Sequence, residues 1–123
     1  MKTKQNPAET LASYSRQFYD RGWMWGTSGN LSVRLSSDPL KIVITPTSVN
    51  KGMLLPKDML TITEGQKPPK HPKGWRSSAE TLIHQAVYHA VPDAQATLHA
   101  HPIYATLISG LYGHPREVRL DRK

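Results

Sequence analysis

The chain has 123 residues, room for one small domain, and lacks cysteine, which excludes disulfides and thiolate metal sites and leaves any metal to His, Asp or Glu. No run approaches the ~20 apolar residues of a membrane helix, and the N-terminal MKTKQNPAET has no apolar stretch after its lysines, so a cytoplasmic protein without membrane contact is expected. Of the net charge of +7, all but +1 lies in two patches, Lys67, Lys70, Lys73 and Arg76 in one proline-rich stretch and a net +2 in the last fourteen residues, which read as a solvated loop and tail, so no nucleic-acid partner is expected.

Asn6-Pro7-Ala8-Glu9 reads as a helix start, with Asn as N-cap, Pro at the first helical position and Glu three after the cap. Leu11, Tyr14, Phe18 and Tyr19 continue it at helical spacing, and Gly22 is the expected stop. Leu31 to Leu35 alternates as a strand, Ser36-Ser-Asp-Pro39 is a turn, and Leu40 to Thr45 forms the second arm of a hairpin. Met59 to Thr63 is a third strand, and 64–77 is a long irregular stretch. Ser77-Ser-Ala-Glu80 repeats the capping-box pattern, opening a helix to about Val91 with an apolar stripe of Leu82, Ile83, Ala86, Val87 and Ala90. Ala96 to His101 is a strand candidate, and Pro102 begins a last helix through Ile108. The order α-β-β-β-α-β-α predicts an α/β domain, a mixed β-sheet layered with helices.

Strand side chains two apart share a face, so His99 and His101 are presented side by side, close enough to grip one ion at ~2.0–2.1 Å from each nitrogen. Catalytic zinc commonly takes three protein ligands, and a bare histidine pair is weak evidence on its own. His71 and His114 fall in the basic loop and the tail, where solvation is expected; His84 and His89 fall on a helix, where a partly exposed structural role is expected. Glu80 has two readings, a cap reaching back to the Ser77 N–H and a general acid/base beside a metal, and the cap is the stronger from the residues alone. Gly26-Thr-Ser-Gly-Asn30, Thr45-Pro-Thr-Ser48 and Ser78 at a helix N-terminus each offer N–H and hydroxyl groups suited to an anion such as phosphate.

GTSGNLSVR (26–34), ITPTSV (44–49), SAETLIHQAVY (78–88) and ATLHAHPIYATLIS (96–109) occur in the order and spacing found in the class II aldolase and adducin head family, which the chain resembles over most of residues 8–109. Within the family it is most similar to the bacterial methylthioribulose-1-phosphate dehydratases of methionine salvage, through S-A-E-T-L-I-H and the Asn50-Lys51-Gly52 loop. The resemblance implies a class II aldolase-like fold, Zn2+ on His99 and His101, and a sugar-phosphate substrate held near Gly29, Asn30, Thr47, Ser48 and Ser78. Glu80 matches the acid/base position of the aldolases. In the dehydratases that role falls to a glutamate well past the histidine pair, where this chain has no clear match. The implied chemistry is that of a zinc-dependent lyase on a phosphorylated ketose, in which the metal stabilises an enediolate. A class II sugar-phosphate aldolase, an inactive adducin-like interaction module and a small nucleic-acid binder are the alternatives.

The likeness fades after Ser109, and the pattern departs at Ser77 and at Ser48, where the family carries glycine. Family members continue into a second half that supplies a third histidine, and they commonly form homotetramers. The expectation is therefore residues 1–109 as the N-terminal part of the domain, residues 110–123 as a divergent basic tail, and a fold incomplete at the C-terminus.

Overall fold

The computed structural model of the protein describes residues 5–112. Helix α1 spans Pro7–Asp20, and strands β1 (Asn30–Ser37), β2 (Leu40–Ile44) and β3 (Leu60–Thr63) follow, with two 3-10 turns, Lys51–Met53 and Pro56–Asp58, between β2 and β3. Helix α2 (Thr81–Ala90), strand β4 (Ala96–His99) and helix α3 (Ile103–Leu111) complete it.

α1 begins as its residues require. The Asn6 side chain accepts the Ala8 N–H at 3.0 Å, and Pro7 occupies the first turn, where its missing donor costs nothing. It ends at Gly22, whose φ of +71° suits the left-handed position after a helix. The Gly22 N–H donates to Tyr19 and the Trp23 N–H to Phe18, so the last carbonyls are satisfied.

The four strands form one sheet in the order β3-β2-β1-β4. Every pairing among them is antiparallel, so the described part of the sheet is not mixed. Alternation along the strands divides the side chains between two faces. Leu31 and Val43 pack with Leu11 and Ala12 of α1, together with Met24, Leu54 and Met59. On the opposite face Leu40, Ile42, Ile44, Leu60 and Ile62 pack with Tyr88 of α2. The result is an α/β sandwich with one helix on each face of the sheet.

α2 departs from expectation in the face that it buries. Thr81, His84 and Tyr88 are the residues turned to the sheet, whereas Leu82 and Ile83 of the expected stripe are 71% and 61% exposed. The polar face can lie inward because Ser32 of β1, also fully buried, supplies a partner to both His84 and Tyr88. α3 contributes no buried residue.

Because the Asn6 cap satisfies a helix donor that would otherwise be left open, Asn6→Ala should lower stability by about 1 kcal/mol, read as an earlier urea midpoint with an unchanged slope.

Candidate active site

β1 and β4 pair with Asn30 opposite His99 and Ser32 opposite Thr97. Directly opposed residues share a face, so Asn30, Ser32 and His99 all point toward α2. The first turn of α2 places Glu80 over this point, and its Oε2 accepts from the Asn30 Nδ2 at 2.5 Å and from the His99 Nδ1 at 3.1 Å. The capping box expected at Ser77–Glu80 is not formed. Glu80 is itself the N-cap residue, in helical geometry, and its carboxylate turns outward to the strands rather than back to the Ser77 N–H. Ser78 takes over the local task by accepting the Glu80 N–H on its hydroxyl at 3.1 Å.

His84 lies one turn after Glu80 and is 1% exposed, not partly exposed as its surface helix suggested. Its Nε2 meets the Asn30 Oδ1, and its Nδ1 meets the Ser32 hydroxyl at 2.7 Å. Burial pulls the imidazole down to about 4, with the nearby His99 acting in the same direction, so the ring is neutral at pH 7. Glu80 moves oppositely in effect: the hydrogen bond from Asn30, and then the charge and N–H of His99, hold its carboxyl below the ordinary range and keep it ionised. Asn30, Glu80, His84 and His99 line a cleft of about 390 Å³ with Ile83, Val87 and Leu98 as its apolar walls.

β4 ends at His99, so His101 lies just beyond the strand. The chain stays extended there because the His101 N–H donates to the Trp23 carbonyl at 2.7 Å. The two rings consequently remain neighbours, with centroids 4.8 Å apart and planes inclined by 45°. Since the His99 Nδ1 hydrogen is directed at Glu80, its Nε2 is the nitrogen left with a lone pair, the usual arrangement behind a metal-ligating histidine. The pair offers two imidazole nitrogens, donors that suit zinc. No group of three His, Cys, Asp or Glu residues with metal-holding geometry occurs among the described residues, so the donor set is partial.

The loops read as anion-binding are tied to their surroundings in different ways. Gly29 adopts φ +79°, and a Cβ there would come within 2.8 Å of the His99 carbonyl oxygen, so the loop closes onto β4 only with glycine. The Thr47 N–H is already donated to the Arg76 carbonyl at 2.8 Å, which ties its loop to the segment leading into Ser78. Ser48 has φ +60°, the conformation that favours the glycine found in the family pattern. Thr45, adjacent in the same loop, is buried and bonded to the Leu31 N–H by its hydroxyl, a structural role.

Lys51, part of the Asn50-Lys51-Gly52 loop that supports the resemblance but given no role there, joins two of these loops. It is 1% exposed, and its Nζ donates to the Thr27 carbonyl at 2.8 Å and the Val49 carbonyl at 3.1 Å. Burial lowers its ammonium to about 8, against the opposing pull of Glu80. The other histidines stand apart. His89 pairs with Glu64 on the surface, and His71, expected to be solvated, is half-buried and stacked on Trp75 with centroids 5.4 Å apart. His114 lies outside the described residues.

Residues 9–121 match the family described as Class II Aldolase and Adducin N-terminal domain. The chain belongs to this family. It is 35% identical over 111 residues to methylthioribulose-1-phosphate dehydratase of Bacillus pumilus, covering 90% of this chain and 52% of the relative. It is 31% identical over 118 residues to the enzyme of the same name from Bacillus subtilis, covering 96% of this chain and 56% of the relative. Among solved structures, L-fuculose 1-phosphate aldolase from Glaciozyma antarctica PI12 superposes with a TM-score of 0.77 at 25% identity, over 89% of this chain and 45% of that one. The chain thus spans about half the length of the relatives it matches.

This member of the class II aldolase and adducin family carries two residues at the site, His84 and Lys51, to which the sequence alone gave no site role. His84 had a usable signal, since it sits four residues after Glu80 and must share its helix face. Lys51 stood only within a loop that supports the resemblance, and its burial depends on contacts with the Thr27 and Val49 carbonyls that the sequence does not show.

Two outcomes are expected. Gly29→Ala should destabilise by at least about 1–2 kcal/mol from the backbone conformation alone, with a further loss from the contact with the His99 carbonyl, measured by urea unfolding. His84 stays neutral in the folded state down to about pH 4, while the unfolded chain takes up a proton near 6.5. Its contribution to stability is therefore complete above pH 6.5 and is lost as pH falls toward 4, so urea midpoints at pH 7 and 4.5 should differ more in the parent protein than in His84→Gln.

Proposed function

We propose that the chain forms the N-terminal part of a zinc-dependent lyase acting on a phosphorylated ketose, of the methylthioribulose-1-phosphate dehydratase kind. One observation carries this reading: the Glu80 carboxylate holds His99 and Asn30 at the mouth of one cleft, beside the ring of His101. A carboxylate that accepts the Nδ1 hydrogen fixes the imidazole tautomer and aims Nε2 outward as a ligand. His99 and His101 would hold the metal, with a further donor from outside the described residues. Bound zinc would supply Lewis-acid stabilisation to charge developing on the carbonyl and hydroxyl oxygens of the sugar.

The remaining chemistry belongs to the chain. Glu80, ionised and 43% exposed at its side chain, is placed to accept or return a proton on the cleft side, the role that the resemblance gives to its position in the aldolases and to a later glutamate in the dehydratases. The Asn30 carboxamide is held by protein partners at both ends, so it orients rather than exchanges. By the same reading the phosphate lies near Gly29, Asn30, Thr47, Ser48 and Ser78, where the hydroxyls of Thr47, Ser48 and Ser78 would meet it and anchor the sugar in one orientation. The dehydratase reading is preferred to an aldolase because the relatives at 31% and 35% identity carry that name. The proposed location is the cytoplasm, where the sugar phosphates of metabolism occur.

A second reading, a non-catalytic module of the same fold, is favoured by the incomplete donor set among the described residues. Metal analysis separates the two. The purified protein should retain about one zinc per chain, and His99→Ala with His101→Ala should bring this to background. Release of water from methylthioribulose 1-phosphate, with L-fuculose 1-phosphate as the competing substrate, should follow the metal content. Zinc near zero together with no turnover of either sugar would overturn the lyase reading in favour of the module.

A further inference from the structure

The polar groups buried between β1 and α2 form a single chain of hydrogen bonds whose direction can be worked out from its end. A carboxylate only accepts, so the Glu80 Oε2 receives the Asn30 Nδ2–H. The Asn30 Oδ1 is then the atom facing His84, and the hydrogen between them must sit on the His84 Nε2. A neutral imidazole carries only one N–H, so the His84 Nδ1 is an acceptor and the Ser32 hydroxyl donates to it at 2.7 Å. The Ser32 oxygen in turn receives the Tyr88 hydroxyl hydrogen at 2.8 Å. No link can be reversed without leaving a buried donor facing a donor, or an acceptor facing an acceptor.

We propose that His84 is a positioning residue: as the neutral Nε2–H tautomer it sets which way the Asn30 carboxamide faces, and through Asn30 it holds the Glu80 carboxylate against the Nδ1 hydrogen of His99. His84 lines the cleft, but its ring hydrogen-bonds to Asn30 and Ser32 rather than to the Glu80 carboxylate or the histidine pair. It acts because an amide can be flipped by half a turn at little cost in shape, and a flipped Asn30 would turn a carbonyl oxygen onto Glu80 and drive the carboxylate away. The donor at His84 excludes that flip. Ser32 and Tyr88 secure the tautomer from the far side, which explains why the helix buries this polar face and leaves Leu82 and Ile83 outside.

The inference rests on the proposed pairing of Glu80 with His99, and its test reads the rings directly rather than activity. The full chain, labelled with nitrogen-15 at histidine and treated with chelator, is examined by long-range proton–nitrogen correlation at pH 7. His84 is expected as the Nε2–H tautomer and His99 as the Nδ1–H tautomer. His84→Gln places an amide donor where Nε2–H stood and should keep the His99 pattern. His84→Leu fills the space without a donor and should let His99 average between tautomers. Tyr88→Phe removes only the far end and should leave His99 unchanged, with circular dichroism checking the fold of each variant. Finding His84 in the parent protein as the Nδ1–H tautomer, or charged, overturns the proposal even if the leucine variant does not fold. A folded His84→Leu with His99 unaltered also overturns it. Absence of zinc and turnover with the expected tautomers would count against the proposed function alone.

Discussion

Asn30 is the point at which the parts of this molecule are joined. It begins the central strand β1, lies opposite His99 on β4, and spans with one carboxamide from His84 to Glu80 across the start of α2. A side chain with one acceptor and one donor end can connect a neutral imidazole to a carboxylate, whereas a carboxylate in its place, which only accepts, could not. The neighbouring Gly29 lets the backbone reach this position by passing within contact of the His99 carbonyl. Strand, helix and loop are thereby held in one arrangement around the cleft.

The interior around this junction is polar, and its principal groups are held by partners, although the Thr81 and Thr97 hydroxyls are buried without one. Lys51 reaches two loop carbonyls, and His84 and Tyr88 share Ser32. Asp58, nearly buried, is pushed up by that burial, but the Leu55 N–H and the Lys73 ammonium more than offset it and keep it ionised. Lys73 also lies 4.3 Å from the centre of the Trp75 ring, so the proline-rich basic stretch is pinned to the body by this pair and the stacking of His71 on Trp75. The positive charge of that stretch is thus partly structural. Apolar burial is left to the two sheet faces, where Leu31 and Val43 on one side and Ile42 and Ile44 on the other are almost wholly enclosed.

Membership of the class II aldolase and adducin family accounts for the arrangement of loops and helices, because the matched region runs through all of the elements that meet at Asn30. The superposition on an L-fuculose 1-phosphate aldolase extends over 89% of the chain, yet over 45% of the larger protein. In that setting the outward position of Leu82, Ile83, Leu98, Ile103 and Leu107 is a property of the described residues, in contrast to the enclosed polar side of α2.

Local rules legible in the residues determined most of the elements. Asn6-Pro7 and Gly22 delimit α1 because capping and left-handed geometry depend on near neighbours, and period-two alternation located β1, β2 and β3 to within about one or two residues. The side-by-side placement of His99 and His101 also followed from the spacing, though His101 lies past the strand and is kept there by Trp23. What only the tertiary structure decided were the matters that turn on distant partners. Glu80 looked like a cap because Ser77 is close in sequence, and it faces Asn30 and His99 because those partners compete better in space. The apolar stripe of α2 misled for the same reason: periodicity shows that a helix has two faces, but a buried serine on another strand made the polar one the inner face.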